Sequence, residues 1–336
     1  MSSSSKIITR KKIAELAGVT PAMVTFALSD HTAMKISAAT RDRIRKIAAE
    51  HHYVPNFMSR ALAVRKSFNI AMILPPTCVD SISVQHLKIF HGLSTILEAT
   101  DYVLNVFFGV SDKFVEKAKA GRIDGVIIVD SVVREEYFQR LLPLHLALAT
   151  ANFDTDYAPA VMSDHAGALR ESIQLLLRRG CRKIRYIYSD KPAIYDPVVI
   201  PGLRELSTAW PEALLDSWKI QDFLSLTPQM CGMPGDFDGF VVNGDFRCRY
   251  IRNYLASQGC REGSDYRLVL LDNRPVPDIA DSFLQTPDRI GSAVWKTVAR
   301  LLDGETVPPV ELIPYQYYRN GVPASPPAEL SHTISS

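Results

Sequence analysis

Between residues 10 and 50 the apolar positions recur at three- and four-residue spacing, in three short bursts. Ile13, Leu16 and Ala17 fall on one side of a helix over Arg10–Ala17. Val24, Ala27 and Leu28 stripe a second helix, and Ile44, Ile47 and Ala48 a third. The residues between the bursts agree with this division. Thr9, Thr20 and Ser37 are N-cap types, whose side-chain oxygens accept a backbone N–H of the first turn. Pro21 occupies the favoured first helical position, and Gly18 ends the first helix in a tight turn. Three short helices, the first two joined by a glycine turn, read as a helix-turn-helix.

From Phe68 onward the pattern changes. NIAMIL, YVLNVFF, GVIIVD, LALATAN, KIRYIYS, FDGFVVN and YRLVLLD are short, near-continuous apolar runs that read as strands. HLKIFHGLSTILEAT, ALRESIQLLLRRG, RYIRNYLASQG and IGSAVWKTVARLLDG read as helices between them. Alternation of this kind predicts parallel sheets covered on both faces. The body exceeds what one compact core holds, so two Rossmann-like lobes are expected. The fold class is therefore an all-α helix-turn-helix head plus an α/β body. The expected divisions are a head over 1–54, a hinge helix and linker over 55–67, a two-lobed body over 68–322 and a disordered polar tail over 323–336.

Charge sharpens the division. Residues 1–67 hold 12 Lys and Arg against 4 Asp and Glu, or +8, while the rest holds 26 against 32, or −6. A basic head on an acidic body points to a polyanionic partner for the head. Arg10, Lys11 and Lys12 crowd the N-terminus of the first helix, where the macrodipole disfavours cations. A phosphate backbone alongside reverses that penalty. Ala22, Met23, Thr25 and Phe26 lie on or near the open front of the second helix. Small side chains let a helix sit deep in a major groove, a Thr hydroxyl bonds base edges, and Phe meets a thymine methyl. The alternative is a plain three-helix core with an incidentally small surface; caps, turn and charge together favour DNA.

The same composition excludes other classes. No run approaches the ~18–20 apolar residues of a membrane span, and MSSSSKIITRKK has no signal-peptide pattern, so a cytoplasmic chain is expected. The five scattered cysteines have no zinc spacing and read as buried thiols. There is no GxGxxG, P-loop or GxSxG, and neither a cofactor nor a metal is expected. His86 and His91 are five residues apart and share no helix face. Trp210, Trp218 and Trp295 read as core.

KIAELAGVTPAMVTFALSD, ISAATRDRIRKIAAEHHYVPNFMSRAL and NIAMILP resemble the opening of LacI/GalR-family bacterial transcription regulators, almost continuously over residues 7–75. AGVTPAMVTFAL is similar to the family's recognition helix and YVPNFMSRAL to its hinge helix. The resemblance implies a homodimer reading a pseudo-palindromic operator, with repression as the expected mode. It implies DNA contacts from Thr9, Arg10, Lys11, Lys12, Thr20, Pro21, Ala22, Met23, Thr25 and Phe26, and from Ser37, Thr40 and Arg41 at the third helix. It extends them to Asn56, Ser59 and Arg60 in the hinge, and places Leu62 as the wedge that opens a central minor-groove step, a device of minor-groove binders. Phe26 stands where many members carry Arg, so the operator sequence is not carried over.

The resemblance also implies a ligand cleft between the lobes, with chain crossings placed near 180, 287 and 315. Ligands bind beyond the carboxyl ends of parallel strands. Asp272 closes YRLVLLD and matches the family's cleft Asp. Asp245 follows FVVNG and reads better as a helix-start residue. Ser189 follows KIRYIY. Val199 stands where the family carries a cleft Arg, and Gly244 where it carries Asn, so the expected effector is a small molecule of atypical chemistry, a sugar-like compound being one candidate. The competing classes are a small-molecule enzyme, for which no nucleophile–base pair is visible, and a binding protein without regulation.

Overall fold

The computed structural model describes residues 8–28, 36–53, 61–62, 64–80, 82–130, 134–189, 196–220, 226–272 and 274–325, without the side chains of 196–199. The chain divides into two compact units, 1–67 and 68–336.

In the first unit, α1 (Arg10–Ala17), α2 (Pro21–Leu28) and α3 (Ala38–Glu50) enclose a core of Ile13, Ala14, Ala17, Val24, Ala27 and Ile44. The caps form as their residue types dictate. Lys12 N–H donates to Thr9 Oγ1 at 3.3 Å, Met23 N–H to Thr20 Oγ1 at 3.3 Å, and Thr40 N–H to Ser37 Oγ at 3.2 Å. Gly18 turns the chain at φ 61°. Arg45 Nε donates to the Ala27 carbonyl at 3.2 Å, satisfying an end of α2. One expected core residue is misplaced: Leu16 is 44% exposed, and Ala14 lies inside instead. The inward face of α1 centres between residues 13, 14 and 17, and Leu16 stands roughly 100° round the helix from it.

The second unit contains two sheets. In the first lobe β1 (Asn69–Leu74), β2 (Val103–Phe108), β3 (Gly125–Val129), β4 (Ala147–Ala151), β5 (Ala160–Ser163) and β11 (Val310–Ile313) run in the order β11-β5-β4-β3-β1-β2. All these pairings are parallel. α4 (Val84–Leu97) and α10 (Pro287–Leu302) supply Ile89, Leu93, Ile290, Val294 and Val298 to the core on one face. α5 (Asp112–Lys119) and α6 (Glu135–Leu141) supply Phe114 and Phe138 to the other. α4 and α10 meet backbone to backbone. A Cβ at Gly92 would stand 1.9 Å from the Asp288 carbonyl oxygen, and one at Gly291 2.1 Å from that of Ile89.

The second lobe has the order β13-β12-β10-β9-β8-β6-β7. Its strands are β6 (Lys183–Ser189), β7 (Leu214–Ile220), β8 (Gly239–Asn243), β9 (Arg267–Asp272), β10 (Asp281–Leu284), β12 (Gln316–Arg319) and β13 (Val322–Pro323). β6 to β10 are parallel, and β12 and β13 close the edge antiparallel. α7 (His165–Arg178) and α8 (Asp196–Ala209) lie on one face; α9 (Asp245–Ser257) lies on the other, where Cys248 and Ile251 join the core.

Two sequence expectations are corrected here. The first crossing between lobes lies at Asp164, between β5 and α7, rather than near 180. Leu169, Ile173 and Leu176 of α7 pack with Tyr186, Val241 and Phe283 of the second lobe, so the helix travels with the sheet that buries its stripe. The other crossings fall between β10 and α10 and between β11 and β12. The polar tail does not start at 323: Pro323 pairs with Tyr318 in β13, and Ala324 N–H donates to the Tyr317 carbonyl at 3.1 Å. Trp295 is buried in the first lobe's core, and Trp210 packs partly buried against the second's. Among the described residues no helix is long and apolar enough to cross a membrane.

Candidate nucleic-acid face and ligand cleft

The head presents the cations at the start of α1 beside the front of α2. No acidic residue stands in the first turn of α1. Thr9, Arg10, Lys11, Lys12, Thr20, Pro21, Ala22, Thr25 and Ser37 are exposed, and Met23, Phe26, Thr40 and Arg41 are half-buried. Arg10 Nη1 donates to Thr25 Oγ1 at 3.2 Å, and Thr25 Oγ1 donates to the Pro21 carbonyl at 3.2 Å. The Thr25 hydroxyl therefore already holds a guanidinium against the front of α2, a task its sequence position did not reveal. Lys12 Nζ pairs with Glu15 at 3.0 Å, but both side chains are largely exposed. Such pairs contribute about 0–1 kcal/mol, so a phosphate competes readily for this ammonium. Arg41 Nε is buried with no hydrogen-bond partner among the described residues. Asn56, Ser59 and Arg60 lie outside the described residues. Leu62 is 81% exposed, a large apolar side chain left in water.

In the body the sites of interest gather at the carboxyl ends of the parallel strands, where helix N-termini and loops converge. In the second lobe Asp245 N–H donates to Asp272 Oδ2 at 2.8 Å. Asp272 thus caps α9 across the sheet, the task expected of Asp245. Asp245 itself accepts from Arg274 Nη2 at 2.7 Å. Gly244 precedes α9 at φ 96°, ψ 134°, a conformation that L side chains rarely adopt. A Cβ there would also stand 2.8 Å from Arg247 Nη1. Backbone geometry therefore accounts for glycine at this position. Ser189 ends β6 half-exposed. Position 199 falls within α8, and its side chain lies outside the description. The structure thus brings Asp245 and Asp272 together.

The first lobe contributes residues that the sequence reading passed over. Asp130, immediately beyond β3, is buried and accepts from Arg134 Nε at 2.8 Å. His86 Nδ1 is 2.7 Å from Ser83 Oγ and 3.8 Å from Cys78 Sγ. Burial lowers the His86 pKa against the opposing pull of Asp130. Burial, aided by the Asp130 charge, raises that of the Cys78 thiol. A thiol held protonated is a poor nucleophile. Beside the crossings, Gln85 Nε2 donates to Asn152 Oδ1 at 2.6 Å and to Gln285 Oε1 at 2.9 Å, and Ser163 Oγ donates to Gln285 Oε1 at 3.2 Å. This neutral amide cluster and the capped carboxylates suit hydrogen bonding to a polar small molecule. Asp130 was legible as the residue closing GVIIV; Gln285 follows DSFL, a strand too short and polar to be recognised. Among the described residues no group of His, Cys, Asp and Glu is arranged to hold a metal ion.

A helix-turn-helix head and a body of two parallel-sheet lobes, of periplasmic-binding-protein type, define the class. Residues 9–56 match the family described as bacterial regulatory proteins, lacI family. The chain is 25% identical over 201 residues to the regulator MalR of Streptococcus pneumoniae, covering 55% of this chain and 58% of that one. The chain thus spans a little over half the length of that relative. It is 22% identical over 327 residues to the regulator CelR of Thermobifida fusca, covering 91% and 95%. In fold it is similar to the lac repressor dimer bound to operator and the anti-inducer ONPF, with a TM-score of 0.62 and 18% identity, over 95% of this chain and 100% of that one.

Proposed function

We propose that the protein is a sequence-specific transcription regulator, a repressor, that binds a pseudo-palindromic operator as a homodimer in the cytoplasm. The observation that carries this reading is the exposed front of α2 flanked by the exposed cations at the start of α1. Arg10, Lys11 and Lys12, with Thr9, Ser37, Thr40 and Arg41, hold phosphates and fix the register, because contacts to the backbone position a protein without reading sequence. Thr20, Pro21, Ala22, Met23, Thr25 and Phe26 meet the major groove. Asn56, Ser59, Arg60 and Leu62 belong to the hinge, where Leu62 opens a base step.

In the same reading a small polar effector occupies the cleft, touching Asp272, Asp245 and Ser189 and passing the uncharged position 199. The amide cluster around Gln285 gives it neutral hydrogen-bonding partners. The effector acts by differential affinity for two arrangements of the lobes, which bounds the change in operator affinity. The lac repressor's own complex holds operator and an anti-inducer, which supports this pairing of sites.

Selection of bound duplexes from a random library by the full chain tests the proposal, repeated with sugars, sugar acids and nucleosides. A recovered palindrome whose binding changes with one compound is expected. No enriched sequence would remove the DNA-reading assignment.

A further inference from the structure

The second lobe has another concave site, at the amino edge of its sheet, opposite the strand ends that carry Asp272. A cavity of about 830 Å³ opens there, and Arg179, Arg267, Arg319, Glu262, Asp278 and Asp281 line it. The strand register explains why charges gather at this place. Arg319 of β12 stands opposite Asp281 of β10, and Asp281 opposite Val269 of β9. Arg267 is two residues before Val269, so all three charged side chains leave the same face of adjacent strands. β9 and β12 flank β10 and are about 10 Å apart, a span that two long arginines close.

The carboxylates in the cavity are already neutralised. Arg179 Nη2 donates to Asp281 at 2.9 Å, and the Tyr317 hydroxyl also donates to it. Arg252 takes Glu262 at 2.9 Å and Asp278 at 2.9 Å, and Arg249 approaches Asp278 at 3.7 Å. Arg267 and Arg319 have no acidic partner within ion-pair distance among the described residues. Two guanidiniums without counter-charge therefore enter one polar cavity from two strands.

We propose that this cavity binds a small phosphomonoester bearing hydroxyl groups, with the phosphoryl group between Arg267 and Arg319. Guanidinium forks match phosphoryl oxygens, and a tetrahedral dianion offers oxygens in both directions from which the two forks come. The cavity is far larger than inorganic phosphate needs. The remaining acceptor capacity of Glu262, Asp278 and Asp281 suits hydroxyl donors. This site is separate from the cleft, so it operates whether or not the cleft takes an effector.

Phosphorus NMR titration of the full-length protein tests it, using ribose 5-phosphate, glycerol 3-phosphate and AMP, with ribose and inorganic phosphate for comparison. At least one ester is expected to show saturable broadening, weakened tenfold or more by both Arg319→Gln and Arg267→Gln. Arg319→Lys, which keeps the charge, should retain part of the affinity, and Asp272→Asn should leave it unchanged. Circular dichroism confirms that each variant is folded. Absence of binding by all three esters, or binding unaffected in folded Arg319→Gln, overturns the proposal. So does loss in Asp272→Asn with the arginine variants unaffected, because the ligand then sits in the cleft. Equal affinity for inorganic phosphate overturns the hydroxyl recognition.

Discussion

The head and the second lobe's carboxyl edge are built on different length scales. In the head, each cap joins residues three apart, and the core closes over six small or branched side chains. At the carboxyl edge, Asp272 caps a helix that starts 27 residues earlier. Near the crossings, Gln285 is held by Gln85, 200 residues away. Local chemistry can be read position by position. A site assembled from distant strand ends acquires its bonds only when the sheet forms, so the bond from Asp245 N–H to Asp272 is not visible in either residue's neighbours along the chain.

The comparison is broken most severely at the helix crossing of the body. Gly291→Val places a side chain against the α4 backbone and should destabilise the second unit by about 3 kcal/mol or more. Calorimetry of the full chain should show the body's transition lowered and the head's unmoved. Equal shifts in both would contradict the separation.

His165, at the first crossing, comes next. Burial lowers its pKa to about 4 from 6.5, against the opposing charge of Asp164. As pH falls the unfolded imidazole binds its proton first. This contribution is therefore complete above pH ~6.5 and is lost towards pH 4, amounting to about 3 kcal/mol. Urea titrations from pH 7 to 4.5 should show that loss, and His165→Gln should flatten it.

Gly244→Asn tests whether backbone geometry chose the glycine. At φ 96° the cost should be about 2 kcal/mol, read as a lowered melting midpoint. An unchanged midpoint would return the choice to ligand recognition.

The head variants have the smallest effects. Thr9→Ala should cost about 1 kcal/mol of head stability. Lys12→Ala should weaken binding to all duplexes and flatten the salt slope by roughly 0.9, whereas Phe26→Ala should shift base preference. Equal losses on selected and random DNA for Phe26→Ala would show that it reads no base.

Legibility followed the range of the deciding contacts. The three head helices, their caps and the seven apolar strands were visible as periodicity. The strands β5, β7, β10, β11, β12 and β13 were not, because they are short, polar or at edges. β10 is the clearest case: DSFL carries a buried Asp281 that is tolerable only because Arg179 and Tyr317 reach it. Thr25 shows the same limit within the head, since its bond to Arg10 crosses between helices.

The sequence by itself determined the helix-turn-helix, its caps, the charge asymmetry between head and body, and the alternation of strand and helix, because these depend on residues a few positions apart. Tertiary structure alone decided which lobe α7 joins, which carboxylate caps α9, and which arginines of the second lobe lack an ion-pair partner among the described residues. Those outcomes depend on groups far apart in sequence competing for the same buried partners, and only the closed sheets bring the competitors together.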